Sequence, residues 1–88
     1  MTLAAPSTIT VHVLLFARYA EVLGADAVTL ELAAPATVSD VVSRLRQAPG
    51  GTELPPRPLC AVNLVQVPDT TPLAVGDELA VLPPLAGG

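Results

Sequence analysis

Apolar and polar residues alternate with a period of two near the start of the chain, where Ile9, Val11, Val13 and Leu15 interleave with Thr8, Thr10, His12 and Leu14. Successive side chains of a strand point to opposite faces, so a strand is expected over 8–16, apolar on both faces by Phe16. Good helix formers follow in Ala17-Arg18-Tyr19-Ala20-Glu21-Val22-Leu23 and stop at Gly24, which suits the left-handed position that ends a helix. One or two helical turns are expected there. Val28, Leu30 and Leu32 then alternate with Thr29 and Glu31 before Pro35, predicting a second strand that pairs with the first as a hairpin-like unit.

The period changes after Thr37. Val38, Val41, Val42 and Leu45 recur at helical spacing and leave Ser39, Asp40, Ser43, Arg44 and Arg46 facing outward. Thr37 can accept from the amides that follow, and Asp40, three residues on, resembles a capping box and favours the positive helix end. Pro49-Gly50-Gly51 ends the pattern, and a proline-rich loop runs to Pro58. Further strands are expected at Leu59-Cys60-Ala61-Val62-Asn63, at 65–67, and at Leu79-Ala80-Val81-Leu82 after a turn at Gly76-Asp77-Glu78. The order strand, strand, helix, strand, strand, strand is that of an α+β, ubiquitin-like β-grasp. Its mixed sheet has about five strands, with one main helix packed across it and a short helix after the first strand. Residues 1–7 read as a disordered N-terminal extension, 8–82 as the β-grasp domain, and 83–88 as a flexible C-terminal tail.

Composition changes this picture in a few places. Eighty-eight residues suffice for one small domain, and its core must rest on Leu and Val because 14 apolar residues are alanine and the aromatics are Phe16 and Tyr19. Four arginines, no lysine and eight acids give a net charge of −4, so no basic surface is on offer to a nucleic acid. The start lacks a positive, apolar leader and no run approaches membrane-spanning length; a soluble cytoplasmic protein without a membrane partner is expected. One cysteine, Cys60, and one histidine, His12, leave no disulfide framework and no metal-ligand spacing. Phosphate-binding loops, dinucleotide turns and nucleophile elbows are missing from the sequence, so the chain is expected to bind no cofactor and no metal and to be non-catalytic alone.

The chain ends Leu82-Pro83-Pro84-Leu85-Ala86-Gly87-Gly88. Six residues beyond the last expected strand can reach about 20 Å if extended, and the two prolines stiffen the departure. Two residues without side chains can thread a narrow channel and present a carboxylate without steric cover. That carboxylate is inert until activated, so ATP used in trans by a partner would convert Gly88 to an acyl adenylate before sulfur or amine transfer. A merely frayed end would account for neither the identity nor the position of the glycines.

Four stretches together carry a family resemblance: Leu14-Leu15-Phe16-Ala17-Arg18-Tyr19-Ala20-Glu21, Ala61-Val62-Asn63, Pro72-Leu73 with Gly76-Asp77-Glu78, and Pro83-Pro84-Leu85-Ala86-Gly87-Gly88. In their order and spacing they resemble the small subunit of molybdopterin synthase, the MoaD type of sulfur carrier. The resemblance implies a β-grasp fold and a Gly88 thiocarboxylate, made by an adenylating activating enzyme with a sulfurtransferase as sulfur source. The tail would enter the active site of a large subunit, in a heterotetramer of two small and two large subunits. Sulfur would there pass to cyclic pyranopterin monophosphate to build the molybdopterin dithiolene. Phe16, Leu82, Pro83, Pro84, Leu85, Ala86 and Gly87 are the implied partner contacts. Two departures stand out: Leu82 occupies a position that is often aromatic in this family, and residues 1–7 have no counterpart.

Other residues have simpler readings. Cys60 in a buried strand behaves as a small apolar residue. His12 falls on the face opposite Ile9, Val11 and Val13, and Asp77 and Glu78 fit a turn. Arg18, Arg44, Arg46 and Arg57 fit solvated faces. Two rival functions share the tail chemistry: a thiazole-biosynthesis sulfur carrier, and a ubiquitin-like protein modifier whose Gly88 is joined to lysines of targets.

Overall fold

The structure, a computed structural model, describes residues 7–84. Five strands, β1 (Thr8–Leu15), β2 (Ala27–Ala33), β3 (Leu59–Val62), β4 (Val65–Val67) and β5 (Glu78–Leu82), form one sheet in the order β2-β1-β5-β3-β4. The central pair β1–β5 is parallel and every other neighbouring pair is antiparallel. Helix α1 (Ala17–Leu23) follows β1, helix α2 (Val38–Gln47) follows β2, and a 3-10 turn spans Gly51–Glu53. This is the mixed five-stranded β-grasp that the element order predicts.

One face of the sheet carries Ile9, Val11, Val13 and Leu15 from β1, Leu79 and Val81 from β5, and Cys60 from β3, all buried. Val38, Val41, Val42 and Leu45 bury the inner stripe of α2 against this core. The helix starts where it does because the Thr37 side chain accepts from Asp40 N–H (3.4 Å) while Asp40 Oδ2 accepts from Thr37 N–H (2.8 Å), satisfying donors that no helical turn can reach. Tyr19 of α1 is also buried, so a core read as aliphatic contains one aromatic ring.

Several boundaries differ from the expected ones. The first strand ends at Leu15, because Phe16, still extended, becomes the N-cap of α1. The third strand ends at Val62, because Asn63 and Leu64 take positive φ (49° and 74°) to form the turn into β4. The proline-rich loop is not featureless: its 3-10 turn delivers Leu54 to the core, where it is 1% exposed. Arg46 is consequently not on a solvated face; it is part-buried and its Nε donates to Leu54 O at 2.9 Å. Gly50-Gly51 does more than stop α2. Gly50 has φ 84° beneath the Val22 carbonyl, and a Cβ on Gly51 would run into the Leu45 carbonyl. The expectations for residues 1–6 and for Leu85, Ala86, Gly87 and Gly88 fall outside the described residues.

Candidate functional site: the sheet end that leads to the C-terminus

The second sheet face is not covered by either helix. The register sets Leu14 beside Ala80, Ala80 beside Ala61, and Leu59 beside Leu82. One step beyond the Leu15↔Val81 pair, Phe16 comes level with Leu82, because parallel β1 and β5 end together. Phe16 is 43% and Leu59 40% exposed, while Leu82 and Pro83 are half-buried and Pro84 is exposed. Leu14, Ala61 and Ala80 lie behind them on the same face, each partly buried. At the other end of the same face lie Thr10, His12, Thr29, Glu31 and Glu78, so it grades from polar to apolar toward Leu82.

Next to Phe16, a cleft of about 490 Å³ opens between β1, α1 and β2, lined in part by Leu14, Ala17, Ala20 and Ala27 with Asp26. Beside Leu59, a second cleft of about 370 Å³ includes Arg57, Pro58 and Asp69. Ion pairs border this end, the exposed Arg18 with Glu53 (3.3 Å) and the exposed Arg57 with a half-buried Asp69 (3.6 Å). Pairs this open to water add little stability.

Phe16 and Leu82, named from sequence, are brought together with Pro83 and Pro84. Leu59 was missed. It alternates with Cys60 and Val62 out of phase, and that alternation after Pro58 was the available signal for an outward residue. His12 lies at the polar end of the face, with its ring Nδ1 3.4 Å from Thr29 Oγ1. Asp77 is explained by turn chemistry: Oδ2 accepts from Ala74 N–H (2.8 Å) and Oδ1 from the Asn63 amide (3.0 Å). Burial first, and then the Asp69 carboxylate, push the Cys60 thiol up to about 11. It stays protonated at neutral pH and is a poor nucleophile. Among the described residues no cluster of three His, Cys, Asp or Glu could hold a metal ion, and no helix is long and apolar enough to cross a membrane.

The fold and this end of the sheet define a class: a ubiquitin-like β-grasp domain whose last strand is followed by Pro83-Pro84 and, in the sequence, by Leu85-Ala86-Gly87-Gly88. The chain belongs to the ThiS family, whose model matches residues 13–88. It is similar in structure to SAMP1 from Haloferax volcanii, at 31% identity and TM-score 0.76, over 90% of this chain and 99% of that one. It is likewise similar to a putative molybdopterin converting factor subunit 1 from Pyrococcus furiosus, at 25% identity and TM-score 0.76, over 88% of this chain and 99% of that one. A chain in the complex of molybdopterin-converting factor subunits 1 and 2 from Helicobacter pylori shares the fold at 22% identity and TM-score 0.68, over 91% of this chain and all of that one.

Proposed function

We propose that this chain is the sulfur-carrying small subunit of a molybdopterin synthase. The observation that carries the reading is the convergence of the apolar cluster Phe16, Leu59 and Leu82 with the strand end that leads into Gly87-Gly88. A partner that grips the cluster is thereby placed to receive the terminus. The likeness to the P. furiosus converting factor subunit supports the pathway, and the H. pylori complex shows a chain of this fold joined to a second subunit.

In this reading the Gly88 carboxylate attacks the α-phosphorus of ATP on an activating enzyme and releases pyrophosphate. A sulfurtransferase persulfide then displaces AMP to form an acyl disulfide, and a thiol cleaves its S–S bond, leaving the thiocarboxylate on Gly88 and a disulfide on the donor. Thioacids remain anionic at neutral pH, so the sulfur is a ready nucleophile toward the pyranopterin once a channel excludes water. Hydrolysis of the resulting acyl link restores the Gly88 carboxylate. The large subunit supplies the charge stabilisation, since the chain's His12 sits at the far end of the sheet and its Cys60 thiol is buried.

The test mixes thiocarboxylated chain, large subunit and pyranopterin without ATP. Dithiolene should form in proportion to sulfur supplied, two carriers per product; repeated turnover of one carrier without re-activation would refute the mechanism. SAMP1, a small archaeal modifier protein, favours a second reading as a protein modifier. Intact-protein mass spectrometry separates the two: a carrier exchanges one oxygen for sulfur, whereas a conjugate gains a whole target chain.

A further inference from the structure

The two edges of the sheet are treated differently. β4 has three residues and is followed by Pro68, which has no N–H to offer, so that edge is short and blunted. β2 is a seven-residue edge without proline, and Glu31 is its one charged residue.

Which β2 backbone groups face outward follows from two hydrogen bonds. Ala34 N–H donates to Ser7 O and Leu15 N–H donates to Asp26 O, both at 2.9 Å, at the two ends of the β1–β2 register. Hydrogen-bonded and non-bonded pairs alternate along an antiparallel ladder, so Val28, Leu30 and Leu32 direct their N–H and C=O groups to β1. Ala27, Thr29, Glu31 and Ala33 turn theirs away from the sheet. The side chain of Arg44 agrees with this assignment, since its Nη1 reaches from α2 to donate to the outward Glu31 carbonyl at 3.3 Å. Among the described residues the outward N–H groups of Thr29, Glu31 and Ala33 have no backbone acceptor.

We propose that β2 pairs antiparallel with β2 of a second copy of this chain, joining two domains into one ten-stranded sheet. The strand is self-complementary in one register, with a two-fold axis passing through Leu30. Thr29 then faces the partner's Glu31 and Ala27 faces the partner's Ala33, so all four outward residues form rungs, about eight hydrogen bonds in total. The half-buried Leu30 meets the partner's Leu30 on the helix side. Sliding two residues one way sets Glu31 against the partner's Glu31, and like charges directly opposed are unfavourable. Sliding the other way loses a rung.

A seven-residue contact falls below the roughly 1,200 Å² of a stable specific interface, so the dimer is weak and reversible, with a dissociation constant on the order of 0.5 mM. Arg44 must leave the Glu31 carbonyl when the copies pair. Each copy carries a net charge of −4, so added salt strengthens the association by screening repulsion. Because β5 runs parallel to β1, the two-fold axis sends the two β5 C-terminal ends in opposite directions, leaving both Phe16–Leu82 clusters free.

The experiment is amide hydrogen exchange by NMR on the full chain at about 50 μM and about 2 mM, with sedimentation to follow mass. Between those concentrations exchange at Thr29, Glu31 and Ala33 should slow by about threefold, while Val28, Leu30 and Leu32 are protected at both. Thr29→Pro removes an outward N–H without breaking a β1 bond, and should abolish both the mass increase and the added protection. A monomer at about 2 mM overturns the proposal. So does self-association that leaves the alternate β2 amides unprotected and instead shifts Phe16, Leu59 and Leu82.

Discussion

Replacing Phe16 by alanine separates docking from folding. Phe16 keeps 43% of its surface exposed, and a phenylalanine offers about 200 Å², so about 85 Å² remains for a partner to cover. At about 25 cal/mol per Å², losing that contact should weaken binding to the proposed large subunit by about 2 kcal/mol, or roughly 30-fold in Kd. The part already buried, about 115 Å², bounds the loss of folding stability at about 3 kcal/mol, which a domain with a typical 5–15 kcal/mol withstands. The assay is calorimetric titration of the large subunit, with a urea melt of the free chain to measure the folding cost separately. Leu64→Ala is the control: Leu64 is 92% exposed but sits on the β3–β4 turn, at the opposite end of the sheet. Unchanged affinity for Phe16→Ala together with a lowered urea midpoint would make Phe16 a structural residue only. Equal weakening by Leu64→Ala would move the docking surface elsewhere.

Two further outcomes follow from the packing and the titration. Gly51→Ala should cost about 2–3 kcal/mol in a urea melt, because its methyl meets the Leu45 carbonyl and Arg46 backbone rather than a flexible side chain; an unchanged midpoint would show that the 3-10 turn shifts freely. Alkaline pH should destabilise the fold through Cys60. Its thiol is raised from an ordinary value of 9.0 to about 11, so above pH 9.0 the unfolded chain releases that proton first. The stability from the protonated thiol is therefore complete below pH 9.0 and lost toward 11, on the order of 3 kcal/mol in all. Urea melts of wild type and Cys60→Ala at about pH 8 and about pH 10.5 test this, and the variant should lose less on going to high pH. Equal losses would assign the effect elsewhere; Tyr19, raised by burial and then by Cys60, is the alternative group.

Local pattern was enough for α2, where the apolar spacing of Val38, Val41, Val42 and Leu45 and the Thr37–Asp40 capping box lie within ten residues of one another. It was enough for β1 and its inward face, because alternation is a property of consecutive residues. The Gly87-Gly88 pair, too, is read directly from the sequence, and the chemistry proposed for it rests on no tertiary contact. What local pattern could not supply is register. Nothing near Phe16 says that Leu82, 66 positions on, will end beside it; that follows from β1 and β5 running parallel in the middle of the sheet. Leu59 joins them only because β3 pairs antiparallel with β5. Leu54 was invisible for a related reason, since a single core residue among prolines has no period to detect, and it is seated by Gly50 and Gly51 meeting the backbones of α1 and α2. Periodicity records which side of an element faces inward. Which elements meet, and at which residue, is fixed by burying those sides together, and that decision placed an apolar cluster where the chain leaves the sheet for Pro83-Pro84.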